Sequence, residues 1–224
     1  MGSKESDTSL SNPLVLDVSS SCVQSGIATE NGWRKLVVSS NPPMNGVFQT
    51  VAQLIKELKI KIGEIDSIFF CAGPGSTLGL RLASAFIKTM QWQKEGTLQL
   101  YSYNALDLAC QMAEKSPLIL QAPFRMGWRI VRSSPDQQAI GKKEIFESEE
   151  ALQKFPTSLH LKDLRKNAHL IDPQYIIDYQ LNKINGLTGL LSVSELVKEL
   201  EVYSPRPPQF KKWTPSIQFL SPNE

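Results

Sequence analysis

Residues 67–92 leave this chain few ways to fold. Ser67-Ile68-Phe69-Phe70-Cys71 is a short apolar run rich in β-branched and aromatic residues, which predicts a strand buried on both faces. Gly73, Pro74 and Gly75 then force a sharp turn, because glycine tolerates positive φ and proline fixes φ near about −65°. Ser76 or Thr77 caps a helix expected over Leu78–Trp92, its hydroxyl accepting from a first-turn N–H. Strand, turn and helix start bring free N–H groups and the positive end of a dipole to one point. An anion or phosphate would sit there.

The helix itself is unusually greasy. Leu80, Leu82, Ala83, Ala85, Phe86, Ile87, Met90 and Trp92 fill most of the wheel, with Arg81, Ser84, Lys88 and Gln91 as the polar sector. That apolar arc spans roughly 240°, where a helix covering one core needs about 100° or somewhat more. Burial on two sides follows, against its own sheet and against something else. A central helix of a large domain has the same pattern.

Around this unit the chain alternates. Strands are expected at Pro13–Val18, Cys22–Thr29 and Trp33–Ser39, the last two joined by the Glu30-Asn31-Gly32 turn. A helix over Asn45–Ile60 carries Val47, Phe48, Val51, Ala52, Leu54, Ile55 and Leu58 on one side and Gln49, Thr50, Gln53, Lys56 and Glu57 on the other. A strand at Leu98–Tyr103 and a helix at Ala105–Ala113 complete an α/β layer with parallel pairing. From Pro117 the series repeats in degraded form, with strands at Leu118–Leu120, Trp128–Arg132 and Ala139–Phe146 and a short helix at Glu149–Lys154. Helices are expected at Pro173–Asn182 and Val193–Leu200, broken between by Gly186 and Gly189. The domains read as a disordered segment 1–12, a first lobe 13–114, a smaller second lobe 115–204 and a Pro-rich basic tail 205–224.

Composition excludes several classes. Residues 1–115 hold ten Lys/Arg and ten Asp/Glu, and the whole chain has a net charge of +2, so there is no electrostatic footprint for autonomous nucleic-acid binding. Cys22, Cys71 and Cys110 are too far apart for a metal site or a disulfide framework, which fits a reducing cytosol. Cys71 reads as core packing. No apolar run nears the ~20 residues of a membrane span, so a cytoplasmic protein is expected. His160 and His169, nine residues apart, read as unrelated surface residues rather than zinc ligands. No phosphate-binding G-x-x-x-x-G-K-[ST] loop or G-x-S-x-G elbow is present.

Cys71–Ala83 resembles the G-P-G-S-x-T-G-L-R-[IL]-[AG] signature of the TsaB (YeaZ) family. Leu14-Val15-Leu16-Asp17-Val18-Ser19-Ser20 is similar to that family's first strand and turn. Tyr103–Ala109 resembles its S-S-L-x-A-L-A helix start, and Ala122–Trp128 its A-x-D-A-R-x-G-E-V-Y turn, with the aspartate replaced. The likeness covers residues 13–132 and thins beyond them. It implies an actin-like, Hsp70-like and sugar-kinase-like (ribonuclease H-like) fold of two lobes, each a mixed sheet flanked by helices.

The resemblance also implies a non-catalytic subunit that pairs with TsaD, joined by the ATPase TsaE, to modify the adenosine beside the anticodon of tRNA. tRNA would be met only through the complex. The partner surface would be Val47, Phe48, Val51, Leu54, Ile55, Leu78, Leu82, Ala83, Phe86, Ile87 and Met90. A rival expectation is a nucleotide-dependent ATPase or phosphotransferase, with Asp17, Ser19, Ser20, Gly73, Gly75, Ser76 and Arg81 holding nucleotide or anion. In it, Asp17 is the metal-side carboxylate; the competing reading makes Asp17 a cap on the strand turn. No cofactor and no metal are expected, ATP or ADP with Mg²⁺ at the partner interface being the one alternative. A third expectation is a homodimer using the same helices. The tail, with Arg206, Phe210, Lys211, Lys212 and Trp213, would touch tRNA or fold back on the body.

Overall fold

The computed structural model of the chain describes residues 10–113, 118–136, 138–163 and 170–201. Strands β1 (Pro13–Asp17), β2 (Val23–Thr29) and β3 (Gly32–Ser39) form an antiparallel meander, and helix α1 (Pro43–Leu58) leads to β4 (Ser67–Cys71). Helix α2 (Thr77–Gln93), β5 (Gln99–Tyr103) and α3 (Ala105–Met112) follow. The second series is β6 (Ile119–Arg125), β7 (Trp128–Ser133), β8 (Lys142–Glu147), α4 (Ser148–Lys154) and β9 (Leu159–His160). Helix α5 (Gly186–Leu191) and β10 (Ser194–Val197) close the described chain.

The first sheet runs β10-β5-β4-β1-β2-β3, with β1, β4 and β5 parallel and β2, β3 and β10 antiparallel to their neighbours. Period-two alternation explains its continuous apolar strands. Leu14, Leu16, Ile68 and Phe70 point into a core shared with α1 and α2. Val15, Phe69 and Cys71 point into a second core on the other face, shared with α3 and α5. Every residue of β1 and β4 is thereby buried. The second sheet, β8-β7-β6-β9, repeats the pattern: an antiparallel meander, a helix, then a strand parallel to the first. The fold is α/β, with two mixed sheets flanked by helices.

Three expectations about elements change. At the start of the described chain Ser11 and Asn12 both donate backbone N–H to Asp66 Oδ2, at 2.6 and 2.9 Å. Residues 1–9 lie outside the described residues. The helix expected at Pro173–Asn182 is two 3-10 turns, Pro173–Tyr175 and Leu181–Lys183, and that at Val193–Leu200 is strand β10. Strand β5 offers an open backbone edge there, and pairing it outweighs the weak local helix preference of Ser-Glu-Leu-Val. Gly186 and Gly189 lie inside α5 rather than between elements.

The lobe boundary shifts with this. Gln24 accepts from Leu181 N–H at 2.9 Å, Trp33 Nε1–H donates to the Ile184 carbonyl at 3.2 Å, and Gln111 donates to the Gly189 carbonyl at 2.9 Å. The segment 179–200 therefore completes the first lobe. The tail 205–224 lies outside the described residues.

Candidate functional site

The turn after β4 is built against the turn after β1. Gly73 has φ of 109°, a conformation glycine adopts without strain. A Cβ on Gly75 would stand 2.5 Å from the Ser19 carbonyl oxygen, and one on Gly79 would collide with the Val18 carbonyl. Glycine at both positions lets the turn and the start of α2 press onto Val18-Ser19. Ser76 N–H donates to the Ser19 carbonyl at 2.8 Å, and Ser76 Oγ caps α2 by accepting from Gly79 N–H at 3.2 Å. Gly73 N–H donates to Cys71 Sγ. Protein acceptors thus take several of the N–H groups expected to cradle an anion.

Asp17 ends β1 with no exposed surface. Its Oδ1 accepts from Ser19 N–H at 2.8 Å and Ser19 Oγ at 2.6 Å. Its Oδ2 accepts from the Tyr103 hydroxyl at 2.8 Å and the Tyr179 hydroxyl at 2.7 Å. A carboxylate offers about four lone-pair sites, and here all four face protein donors. Burial, then the charge of Asp17, pushes both phenols well above their usual range, so they remain donors. Burial and Asp17 likewise push up the Cys71 thiol, which packs in the core as its sequence context suggests. Tyr103 and Tyr179 are the members of this cluster that the sequence does not flag as partners of Asp17, from which they lie 86 and 162 residues away.

Beside this cluster a cavity of about 610 Å³ opens between the lobes. Ser19, Ser20, Pro74 and Gly75 line it from the first lobe, Ala122, Pro123 and Lys162 from the second, and Ile176–Gln180 from the returning segment. Gly73, Ser76 and Arg81 are not among its lining residues; Arg81 stands exposed on α2.

A second, apolar groove of about 340 Å³ runs between α1 and α2. Val47, Thr50, Val51 and Leu54 of α1 turn toward the sheet, the Thr50 hydroxyl pairing with Ser25 Oγ at 2.8 Å. Ala83, Ser84, Ile87 and Met90 of α2 do the same. Val51, Leu54, Ala83 and Ile87 are therefore committed to this chain's own core rather than to a partner surface, while Val47 and Met90, also buried, line the groove's base. Left outward are Phe48 and Leu78, each 62% exposed, and the half-buried Ile55, Leu82 and Phe86. Phe48 and Phe86 meet edge-to-face at 5.9 Å across the two helices. Met44, 62% exposed, and Trp92, 88% exposed, extend this surface beyond the residues expected from sequence. The wheel misplaces Ser84 and Thr50, because each satisfies its hydroxyl internally and so enters the core at little cost.

Residues 45–123, which contain the glycine turn, α2 and all of α1 but Pro43 and Met44, match the TsaD family, described as tRNA N6-adenosine threonylcarbamoyltransferase. The fold matches YeaZ from Pseudomonas aeruginosa with a TM-score of 0.50 at 18% identity, over 62% of this chain and 68% of that one. A structure described as an uncharacterized protein with similarity to peptidase YEAZ from Pseudomonas aeruginosa matches with a TM-score of 0.50 at 19% identity, over the same shares. The chain is thus similar to the TsaD family over residues 45–123 and to YeaZ in its fold. No curated protein sequence matches it.

The second lobe holds charges that sequence patterning leaves unpaired. His160 is not a surface residue but is 4% exposed. Its Nδ1 accepts from Arg129 Nη2 at 2.8 Å and its Nε2–H donates to Ser158 Oγ at 3.3 Å, so the ring is neutral. His169 lies outside the described residues. Among the described residues no group of three His, Cys, Asp or Glu could hold a metal, and no helix is long and apolar enough to cross a membrane.

Burial, then the Arg129 guanidinium, lowers the His160 pKa from 6.5 to about 4. The folded state thus resists a proton that the unfolded chain accepts below pH 6.5. Stability is complete above that pH and falls progressively toward pH 4, by at most about 3 kcal/mol. Urea midpoints measured between pH 7.5 and about 4.5 are expected to show this slope in the native chain and a flatter one in His160→Gln. Equal slopes in both would exclude His160 as the cause.

Proposed function

We propose that this chain is a non-catalytic scaffold that pairs through α1 and α2 with a TsaD-like protein, a TsaE-like ATPase joining them. The complex transfers threonylcarbamoyl to the adenosine next to the anticodon of tRNA, giving t6A. The family match and the YeaZ-like fold support a role in this modification. The observation that carries the pairing is the open groove, an apolar helix flank that neither sheet covers. With a net charge of +2, the chain leaves most tRNA contact to its partner.

Size-exclusion chromatography with light scattering tests the reading. The chain and a TsaD-like partner mixed at micromolar concentration are expected to elute as a heterodimer. Phe86→Glu would bury a carboxylate against apolar surface, weakening pairing by at least about thirtyfold, the effect of losing one hot spot. Its circular dichroism should be unchanged, since Phe86 is only half-buried in the free chain. Two proteins eluting apart, or a chain that forms only a homodimer, would count against the proposal.

The interlobe cavity favours a second reading, a nucleotide-dependent phosphotransferase. Its volume suits a small molecule. Against it stands Asp17, whose acceptor sites are all taken by protein donors. A metal complex would have to displace a tyrosine hydroxyl.

A further inference from the structure

The interlobe cavity holds donors that the protein itself does not use. Of its polar lining groups, the Ser19 hydroxyl donates to Asp17 at 2.6 Å, the Ser20 hydroxyl to the Cys22 carbonyl at 3.1 Å and the Tyr179 hydroxyl to Asp17 at 2.7 Å. Asp178 is neutralised by Lys183 at 3.0 Å and also accepts from Gln180 Nε2 at 2.8 Å. The donors left unspent among the described residues are the Ser21 hydroxyl and the Lys162 ammonium, both on exposed residues at the cavity. Asp17 is not a lining residue, and its donors shield its charge. The remaining wall is apolar, made by Pro74, Pro123, Leu161, Ile176 and Ile177.

We propose that this cavity binds a small monoanionic organic acid with an apolar body, without a metal ion. The charge count selects the class. One unpaired lysine balances one anionic group. A nucleoside polyphosphate carries several charges and needs a metal ion or further cations to balance them, and Asp17 has no free oxygen to hold that metal. The volume of about 610 Å³ lies within the ~300–1,000 Å³ of small-molecule sites, and an apolar wall with few placed polar groups is their usual lining. The acid group meets Lys162 and Ser21. The body lies against the proline and isoleucine wall, where apolar burial supplies most of the affinity.

Neither functional reading is assumed: a chain that never meets a TsaD-like partner still has the cavity. Anilinonaphthalene sulfonate, an apolar body carrying one sulfonate, is the probe, titrated into the full chain and followed by its fluorescence. One molecule is expected to bind per chain, and octanoate should displace it while ATP with Mg²⁺ does not. Lys162→Glu and Ser21→Asp change exposed positions, where the fold is not at risk. Each sets a like charge against the sulfonate and should weaken the octanoate-displaceable binding about tenfold or more. Absence of binding, or binding indifferent to both substitutions, as it would be in the α1–α2 groove, would overturn the proposal. Displacement by ATP with Mg²⁺ ahead of octanoate would overturn it too, and would restore the nucleotide reading.

Discussion

Asp107→Ala is expected to lower stability by about 3–5 kcal/mol, the cost of stranding buried charge. Asp107 lies in the first turn of α3, 2% exposed, where the helix dipole favours a carboxylate. Its Oδ1 accepts from Arg132 Nε at 2.7 Å and Gly141 N–H at 3.0 Å, and its Oδ2 pairs with Lys143. Arg132 has no exposed surface and gives its Nη2 to the Gln138 and Ala139 carbonyls. The cluster ties α3 of the first lobe to β7 and β8 of the second. Removing the carboxylate leaves a guanidinium with no counter-charge and no route to water, which few domains of 5–15 kcal/mol stability tolerate well. Lys143, partly exposed, can turn outward. Asp107→Leu combined with Arg132→Met should therefore cost less than Asp107→Ala alone, because the orphaned charge is gone. Urea denaturation decides it: a loss under about 1 kcal/mol for Asp107→Ala would show that the pair carries little net energy.

Asp17→Ala is the second large effect, and it separates the two functional readings. The substitution leaves the Ser19 N–H and the Tyr103 and Tyr179 hydroxyls without an acceptor in a buried site. Each unsatisfied group costs about 1–3 kcal/mol, so a total near 3–5 kcal/mol is expected after relaxation. In the scaffold reading, partner pairing at a temperature where the variant is folded should be unchanged, because the groove lies elsewhere. In the nucleotide reading, Asp17 holds a metal complex and the milder Asp17→Asn should abolish a measurable titration with ATP and Mg²⁺. Heat of binding in the native chain that vanishes in Asp17→Asn would overturn the scaffold reading. Tyr179→Phe offers a finer probe, since it frees one side of the carboxylate while keeping the ring.

Much of the first lobe was legible without coordinates. The strands at 13–17, 23–29, 32–39 and 67–71 and the helices at 43–58 and 77–93 fall within a few residues of expectation, because apolar periodicity and glycine-proline turns are local signals. The end of the chain was not. Ser194–Val197 carries no alternation to announce a strand; an unfilled edge on β5, ninety residues upstream in register, makes it one.

The candidate site divides the same way. Composition shows that α2 is apolar over most of its circumference, but not which arc a sheet covers, and the structure turns Ala83, Ile87 and Met90 inward while leaving Leu78 and Trp92 out. A buried charge is likewise mute in sequence, since Asp107, Arg132 and His160 differ from surface residues only through partners far along the chain. The amino-acid order by itself determined the local elements of the first lobe up to α3, the repeat of the strand series after it and the presence of a helix with more apolar surface than one sheet needs. Only the tertiary structure decided that Asp17 is filled by tyrosines from β5 and the returning segment and that, among the described residues, an apolar groove lies between α1 and α2. Both are set by contacts between residues distant in sequence, and a linear pattern does not encode which of them meet.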